Sequence, residues 1–319
     1  MLKHIDYVYT VYKEKSFTRA AEKLYISQPS LSATIKKIET ELGYPIFERN
    51  GKEITPTYIG EKYIKAAEEI LAIEKNLENE IDDLLQFRTG NILLGSTTYI
   101  VSNVLPDTLK HFGEQYPDIE LKILVEQSSI LHEKLEKGLV DIALDNAISR
   151  NPNYEYIPLL KEHILIGVPQ DWELNQLYKN YQIPLEAISD ISCDYNRLPK
   201  INISSLRDKE FILLKNGNKM RQISNKIFAE KNMIPQICFE FDQLMTSLSF
   251  AESGFGICFL TDTLLRYGVS CKNITLYQPD TTFADRTLYI MYKKNKYLSS
   301  ASSEFIRFLK DKFKGSTNE

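Results

Sequence analysis

The 319-residue chain is poor in the features that mark several protein classes. It has four cysteines, Cys193, Cys238, Cys258 and Cys271, with no C-x-x-C among them and no histidine at metal-ligand spacing. That argues against a zinc site and against a disulfide framework. A redox pair of Cys258 with Cys271 stays open beside their reading as inert thiols. No apolar run approaches the ~18 residues that cross a bilayer; the longest are pieces such as Phe211-Ile212-Leu213-Leu214. Met1-Leu2-Lys3-His4-Ile5-Asp6 lacks the apolar stretch of a secretory signal, so a cytoplasmic protein is expected. The four histidines, His4, His111, His132 and His163, are scattered. There is no G-x-S-x-G elbow, no H-E-x-x-H and no glycine loop followed by Lys-Ser or Lys-Thr. Gly254-Phe255-Gly256 is a lone G-x-G and reads as a turn into a strand. No catalytic function, cofactor or metal is expected.

What is present is an ordinary globular composition, 43% hydrophobic and 26% charged, long enough for two or three domains. The net charge of −4 is unevenly spread: residues 1–60 hold nine basic and seven acidic residues, and the rest hold 30 and 36. A weakly basic head on an acidic body fits a small DNA-binding module joined to a domain with another task.

Within the head, Ser16 and Thr18 are plausible caps for a short helix over Phe17-Thr18-Arg19-Ala20-Ala21-Glu22-Lys23-Leu24. Tyr25-Ile26 make a turn. Ser27 caps a second helix, with Pro29 tolerated in its first turn. Leu31, Ile35, Ile38 and Leu42 form one apolar stripe, and Gly43 stops the helix. This is a helix-turn-helix. At 100° per residue, Pro29, Ala33, Lys36 and Thr40 lie opposite the stripe, flanked by Ser32 and Lys37. Small and polar groups at the exposed N-terminal end suit a major groove about 12 Å wide. Lys36 and Lys37 are placed to reach phosphates. Asn50-Gly51 is a strong hairpin signal, and a wing built on it puts Arg49 and Lys52 near its tip.

The run from Ser16 to Gly60, with Ala20-Ala21, Leu24, Ser27-Gln28-Pro29, Leu31-Ser32, Ile35, Ile38-Glu39, Leu42-Gly43, Phe47-x-Arg49 and Thr55-Pro56-x3-Gly60, resembles the DNA-binding domain of LysR-type transcriptional regulators. The resemblance implies that Gln28, Pro29, Ser32, Ala33, Lys36, Arg49 and Lys52 read or hold DNA; Lys37 joins them on position alone. Gln28 as a mere support of the cap, and Lys37 as a solvated charge, remain the plainer readings.

Residues 57–87 contain no proline. Tyr63, Ala66, Ile70, Ile73, Leu77, Ile81 and Leu84 recur every three or four residues, close to a heptad seam. Thirty residues of helix span roughly 45 Å, too long to cover against the head alone. A second copy of the chain is the simplest partner; packing on the chain's own C-terminal part is the alternative. The resemblance implies a dimer through this helix and often a tetramer, with double-stranded operator DNA as partner. It implies RNA polymerase as a further partner where a member activates.

Beyond residue 88 strands and helices alternate: strand 91–96, helix 101–115, strand 119–126, helix 130–137, strand 141–145. This pattern predicts a parallel sheet covered by helices. The order helix, Pro, strand, helix, Gly, strand recurs from Phe228 through Phe259, so two similar lobes are implied. The chain is expected to cross between them near 163–169 and to return near 265–276. Two lobes with paired crossovers resemble a periplasmic-binding-protein-type sensor, the effector domain of the same family. The expected architecture is a multi-domain α/β chain. A winged helix-turn-helix spans 1–58 and a linker helix 59–88. A two-lobed effector domain spans 89–319, with lobe I about 89–164 and 268–319 and lobe II about 165–267. The polar stretch 170–209, with the single Trp172, departs from the family pattern.

Ligands of such folds sit between lobes, at strand carboxyl ends and helix N-termini. Ser96, Thr97, Thr98, Ser128, Ser129, Asn146 (after Asp145), Asn216 and Thr246 are the candidates for effector contact. Helix N-termini attract anions, which suits an anionic effector. The expected function is a DNA-binding regulator whose grip responds to a small molecule. A two-lobed metabolite-binding or enzymatic protein with a helical interaction module is the alternative.

Overall fold

Ile5, Val8 and Val11 make the buried face of a helix, α1 (Ile5–Glu14), that precedes the helix-turn-helix. The computed structural model describes residues 3–48, 54–84, 90–146, 150–189, 193–267 and 271–314. In α2 (Phe17–Lys23) the Ser16 hydroxyl accepts the Arg19 N–H, and in α3 (Gln28–Leu42) the Ser27 hydroxyl accepts the Ser30 N–H. Gly43 ends α3 at φ 82°, a left-handed conformation that costs glycine little. The wing pairs β1 (Phe47–Glu48) with β2 (Thr55–Pro56) in antiparallel register, Phe47 opposite Pro56. Glu39 on α3 accepts the Ile46 and Phe47 N–H groups, tying the recognition helix to the wing. The linker helix α4 (Tyr58–Leu84) follows. Its Gly60 is fixed by packing, because a Cβ there would stand 2.0 Å from the Ile46 carbonyl oxygen. The expected extension of this helix to Phe87 falls outside the described residues.

Helix α4 has two apolar sides. Ile64, Ala67 and Ala72 are buried, Ile64 within the head core. Ile73, Leu77 and Ile81 are 68, 56 and 46% exposed. Only the second set continues the heptad seam.

The body is one 11-stranded sheet bent into two lobes. In lobe I, β3 (Gly90–Ser96) lies parallel to β4 (Ile119–Val125) and β5 (Ile142–Asn146), with α5 (Thr98–Asn103), α6 (Leu105–Gln115) and α7 (Ser128–Glu136) on its faces. The single helix expected at 101–115 is two, broken at Val104 where Pro106 enters the next first turn. The 16-residue β6 (Tyr154–Pro169) belongs to both lobes. Residues 154–163 pair with β13 (Asp285–Lys293), and 164–169 pair with β11 (Ile257–Thr261) and β12 (Ile274–Pro279).

The polar stretch builds α8 (Leu174–Leu177), β7 (Gln182–Ile183), α9 (Leu185–Ser189) and β8 (Lys200–Ile201). It buries Leu174, Ile183, Ile188, Tyr195, Ile201, Ile203 and Leu206 in the lobe II core, with Trp172 packed on its margin. The remaining lobe II elements are β9 (Glu210–Leu214), α10 (Lys219–Glu230), β10 (Gln236–Phe241), α11 (Leu244–Glu252) and α12 (Asp262–Tyr267). Helix α13 (Ser300–Lys312) closes lobe I. The return crossing comes later than 265–276, and lobe I resumes only after β12. Strand β12 pairs with lobe II's half of β6 and with β7 and β8. The extra strands of the polar stretch thus hold β12 in lobe II, and the chain goes back between Pro279 and Asp285. No helix among the described residues is long and apolar enough to cross a membrane.

Candidate functional sites

On the head, the outward face of α3 carries Gln28, Pro29, Ala33, Lys36 and Lys37 exposed, with Ser32 half-exposed. Leu31, Ile35 and Ile38 on the opposite side are buried. Gln28 donates to the Ser32 hydroxyl at 2.9 Å, so the two form one polar unit at the helix start rather than a cap. Lys36 and Lys37 stand a turn further on. Arg49 and Lys52, with the Asn50-Gly51 turn, lie outside the described residues. Tyr25, in the tight turn between α2 and α3, is not singled out by sequence reasoning. It is 95% exposed at φ 55°. Its signal is a bulky residue between two capped helices, where the short turn forces the backbone left-handed.

Between the lobes lies a cleft of about 490 Å³, within the range of small-molecule sites. Four helices begin on its wall: α5 and α7 from lobe I, α10 and α11 from lobe II. The cap residues Thr97, Gln127 and Gln243 make no side-chain cap bond, so those first-turn N–H groups are left for a ligand or water. Asn218 does cap α10, through the Met220 N–H.

Of the expected effector residues, Thr97, Thr98, Ser128, Ser129, Asn146 and Asn216 line the cleft. Ser96 and Thr246 do not. Ser96 is the last residue of β3, fully buried, and its hydroxyl donates to the Leu144 carbonyl inside the sheet. Thr246 is the third residue of α11 and is exposed, outside the lining of the cleft.

The cleft floor is a charge network that local spacing does not reveal. Lys219 of lobe II donates to Asp145 of lobe I at 2.6 Å and also to the Asn146 carbonyl, so it bridges the lobes. His132 lies 3.2 Å from the same Asp145 oxygen. Arg286 donates to Glu162 at 2.7 Å; Tyr99 and Asn146 donate to that carboxylate at 2.8 and 2.9 Å. The Tyr99 hydroxyl also meets Thr261 of lobe II at 2.7 Å. Burial works against the Asp145 charge, but the His132 bond, the Lys219 ammonium and Ser128 outweigh it and hold the carboxyl below its ordinary value. Burial pulls Lys219 down despite Asp145. Arg286 is raised although burial opposes it, because Glu162 and Tyr99 favour its charge. In the sequence Asp145 stands out only as the neighbour of Asn146; its partners come from elements 13 and 74 residues away. Only folding joins them.

Burial pushes the Cys258 thiol up, and Cys271 up to about 12. Both are kept as the unreactive thiol. No group of three or more His, Cys, Asp or Glu able to hold a metal exists among the described residues.

Comparison with known proteins supplies the context. The family profile described as "Bacterial regulatory helix-turn-helix protein, lysR family" matches residues 2–61, and that described as "LysR substrate binding domain" matches residues 86–314. The chain is 28% identical to the HTH-type transcriptional regulator YcgK of Bacillus subtilis, covering 100% of this chain and 96% of that protein. It is 26% identical to the HTH-type transcriptional regulator BsdA of the same organism, covering 96 and 98%. Among solved structures, a full-length OxyR variant of Pseudomonas aeruginosa superposes with a TM-score of 0.72 at 22% identity, over 100% of this chain and 98% of that one. Full-length CbnR in complex with its target DNA does so at 0.67 and 15%, over 98 and 99%.

Proposed function

This chain belongs to the LysR family of transcriptional regulators, and we propose that its exposed α3 face reads operator DNA while the inter-lobe cleft holds a small anionic effector. It is a regulator with a DNA-binding helix-turn-helix and an effector-binding body. The observation that carries the finer reading is the contrast between an exposed surface on α3 and a closed network at the cleft floor.

On the head, Gln28, Pro29, Ser32 and Ala33 meet base edges, and Lys36, Lys37, Arg49 and Lys52 hold phosphates. In the cleft, Lys219, Arg286, Asp145 and Glu162 compensate one another. The anion therefore takes its donors from the open helix starts at Thr97, Gln127 and Gln243, with Ser128, Ser129 and Asn216 beside them. The exposed seam of Ile73, Leu77 and Ile81 pairs with the same seam of a second copy. One head spans only a few base pairs; two reach half-sites about a helical turn apart. Replacing Leu77 by Asp should turn the dimer to monomer in sedimentation velocity; an unshifted peak removes this seam from the interface.

The test of the whole reading is a gel shift on the DNA flanking the chain's own gene. Affinity should exceed that for random DNA by at least about 10³ at matched salt. Equal affinities defeat it. A thermal-shift screen of small carboxylates and inorganic anions tests the cleft: a ligand at 100 times its Kd adds about 2.7 kcal/mol.

A further inference from the structure

Helix α7 reaches two functional parts of the molecule. Its first residues, Ser128, Ser129 and His132, line the cleft. His132 and Ser128 bond the Asp145 carboxylate, the group that also holds Lys219 from lobe II. The position of lobe II is thus felt at the start of α7. Leu131 and Leu135, fully buried, hold the helix against the lobe I sheet along its length of about 13 Å.

Its other end touches the linker. Lys137 lies 2.6 Å from Glu68 on α4 and 2.9 Å from Glu133 on α7. A Cβ on Gly138 would stand 3.6 Å from that of Ala72 on α4. Glu68 is only 8% exposed, one turn from Ile64 in the head core. It also neighbours Tyr9 of α1, whose phenol burial, and then Glu68, push up to about 12. Head helix, linker and effector body therefore meet at one ion pair. Strand β13 makes the same run: Arg286 at its cleft end, Lys293 donating to the Glu136 carbonyl at the other. A crevice of about 1000 Å³, lined by residues of both α4 and α7, opens beside the pair.

We infer that α7 transmits the state of the cleft to the DNA-binding head of the same chain, with the Lys137–Glu68 pair as its joint. This rests on the cleft being the effector site. Lys137 and Glu68 are positioning residues, outside both the cleft lining and the α3 face.

The test is a double-mutant cycle on full-length protein, reading affinity for the DNA flanking its own gene. His132→Ala perturbs the cleft end and Lys137→Met opens the joint. His132→Ala should shift the Kd at least about five-fold alone and less than about two-fold with Lys137→Met present. Lys137→Arg should restore the full shift. The same factor in both backgrounds, or no shift from His132→Ala in either, overturns the inference. Wild-type protein with no preference for this DNA defeats the regulator reading instead, and a thiol trap then decides the joint. The Ala72→Cys, Gly138→Cys protein should form its cross-link within the Cβ spacing a disulfide needs. Adding His132→Ala should change the cross-linking rate at least about five-fold; an unchanged rate overturns the inference. Gly138 has φ 72°, so a cysteine there is strained, equally in both proteins compared.

Discussion

Lys36 and Arg286 are cations on the two working faces of this chain, in opposite surroundings. Lys36 is exposed on α3, and its neighbours on that face, Pro29, Ala33 and Lys37, are exposed too. Arg286 is 11% exposed and its partner Glu162 1%. On the described α3 face the side chains are exposed, and the hydrogen bond there joins two neighbours on that same face, Gln28 and Ser32. The body pairs its buried cleft charges with one another, and the helix starts at Thr97, Gln127 and Gln243 carry no side-chain cap bond. Stability and binding are therefore separable in the head and entangled in the body.

Arg286→Met tests the entangled side most severely. It strands the buried Glu162 carboxylate, and removing one partner of such a pair costs about 3–5 kcal/mol. Urea denaturation should show that loss. A cost below about 1 kcal/mol would mean that water reaches Glu162 and that the body resembles the head after all.

The same contrast explains what is legible in the sequence. The helix-turn-helix is written locally: Ser16 and Ser27 as caps, Leu31, Ile35 and Ile38 as one stripe, Gly43 as stop. Each relation spans under one helix length. Helix α1 escapes such a reading because its three apolar residues lack a capping side chain; His4 precedes it without a cap bond. In the body, helix starts can be read, and six of eight expected residues line the cleft. Ser96 fails because strand position does not say whether a hydroxyl bonds inward. Lys219, Arg286 and Glu162 are invisible, because charged residues occur everywhere and only tertiary folding brings lobe II's Lys219 to lobe I's Asp145. The polar stretch misleads for a related reason: its apolar residues follow no single period, yet they cover one edge of lobe II.

Gly60→Ala carries the comparison into the head. The added Cβ meets the Ile46 carbonyl at 2.0 Å, a backbone atom that cannot step aside. Overpacking of this kind costs about 1–3 kcal/mol. It should lower the head's melting temperature and weaken DNA binding together. Full DNA affinity at an unchanged melting temperature would show that the wing and linker are free to separate.

A smaller effect comes from Asp285, at the return crossing between the lobes. Burial opposes its charge, but bonds from His163 and Lys161 hold the carboxyl down to about 2. An acid with a folded value below its unfolded value of about 4 stabilises the fold above about pH 4, and that contribution is lost as pH falls toward about 2. Asp285→Asn should flatten the acid limb of the stability curve in that window. The group is 44% exposed, so screening keeps the effect below about 1 kcal/mol. An identical acid limb would remove the pair from the crossing's energetics.

Lys36→Ala should barely touch stability, within about 0.5 kcal/mol, because its exposed ammonium bonds to none of the described residues. Its effect belongs to DNA. A lysine on a phosphate releases about one counterion on binding, so losing it lowers the slope of log affinity against log salt by about one and weakens all sequences alike. Measured from about 50 to 200 mM salt, an unchanged slope would take Lys36 off the phosphate list. A weakening confined to one sequence would make it a base-reading residue instead. Either result moves the DNA axis along α3, since Lys36 stands two turns past Pro29 and marks how deeply the helix enters the groove.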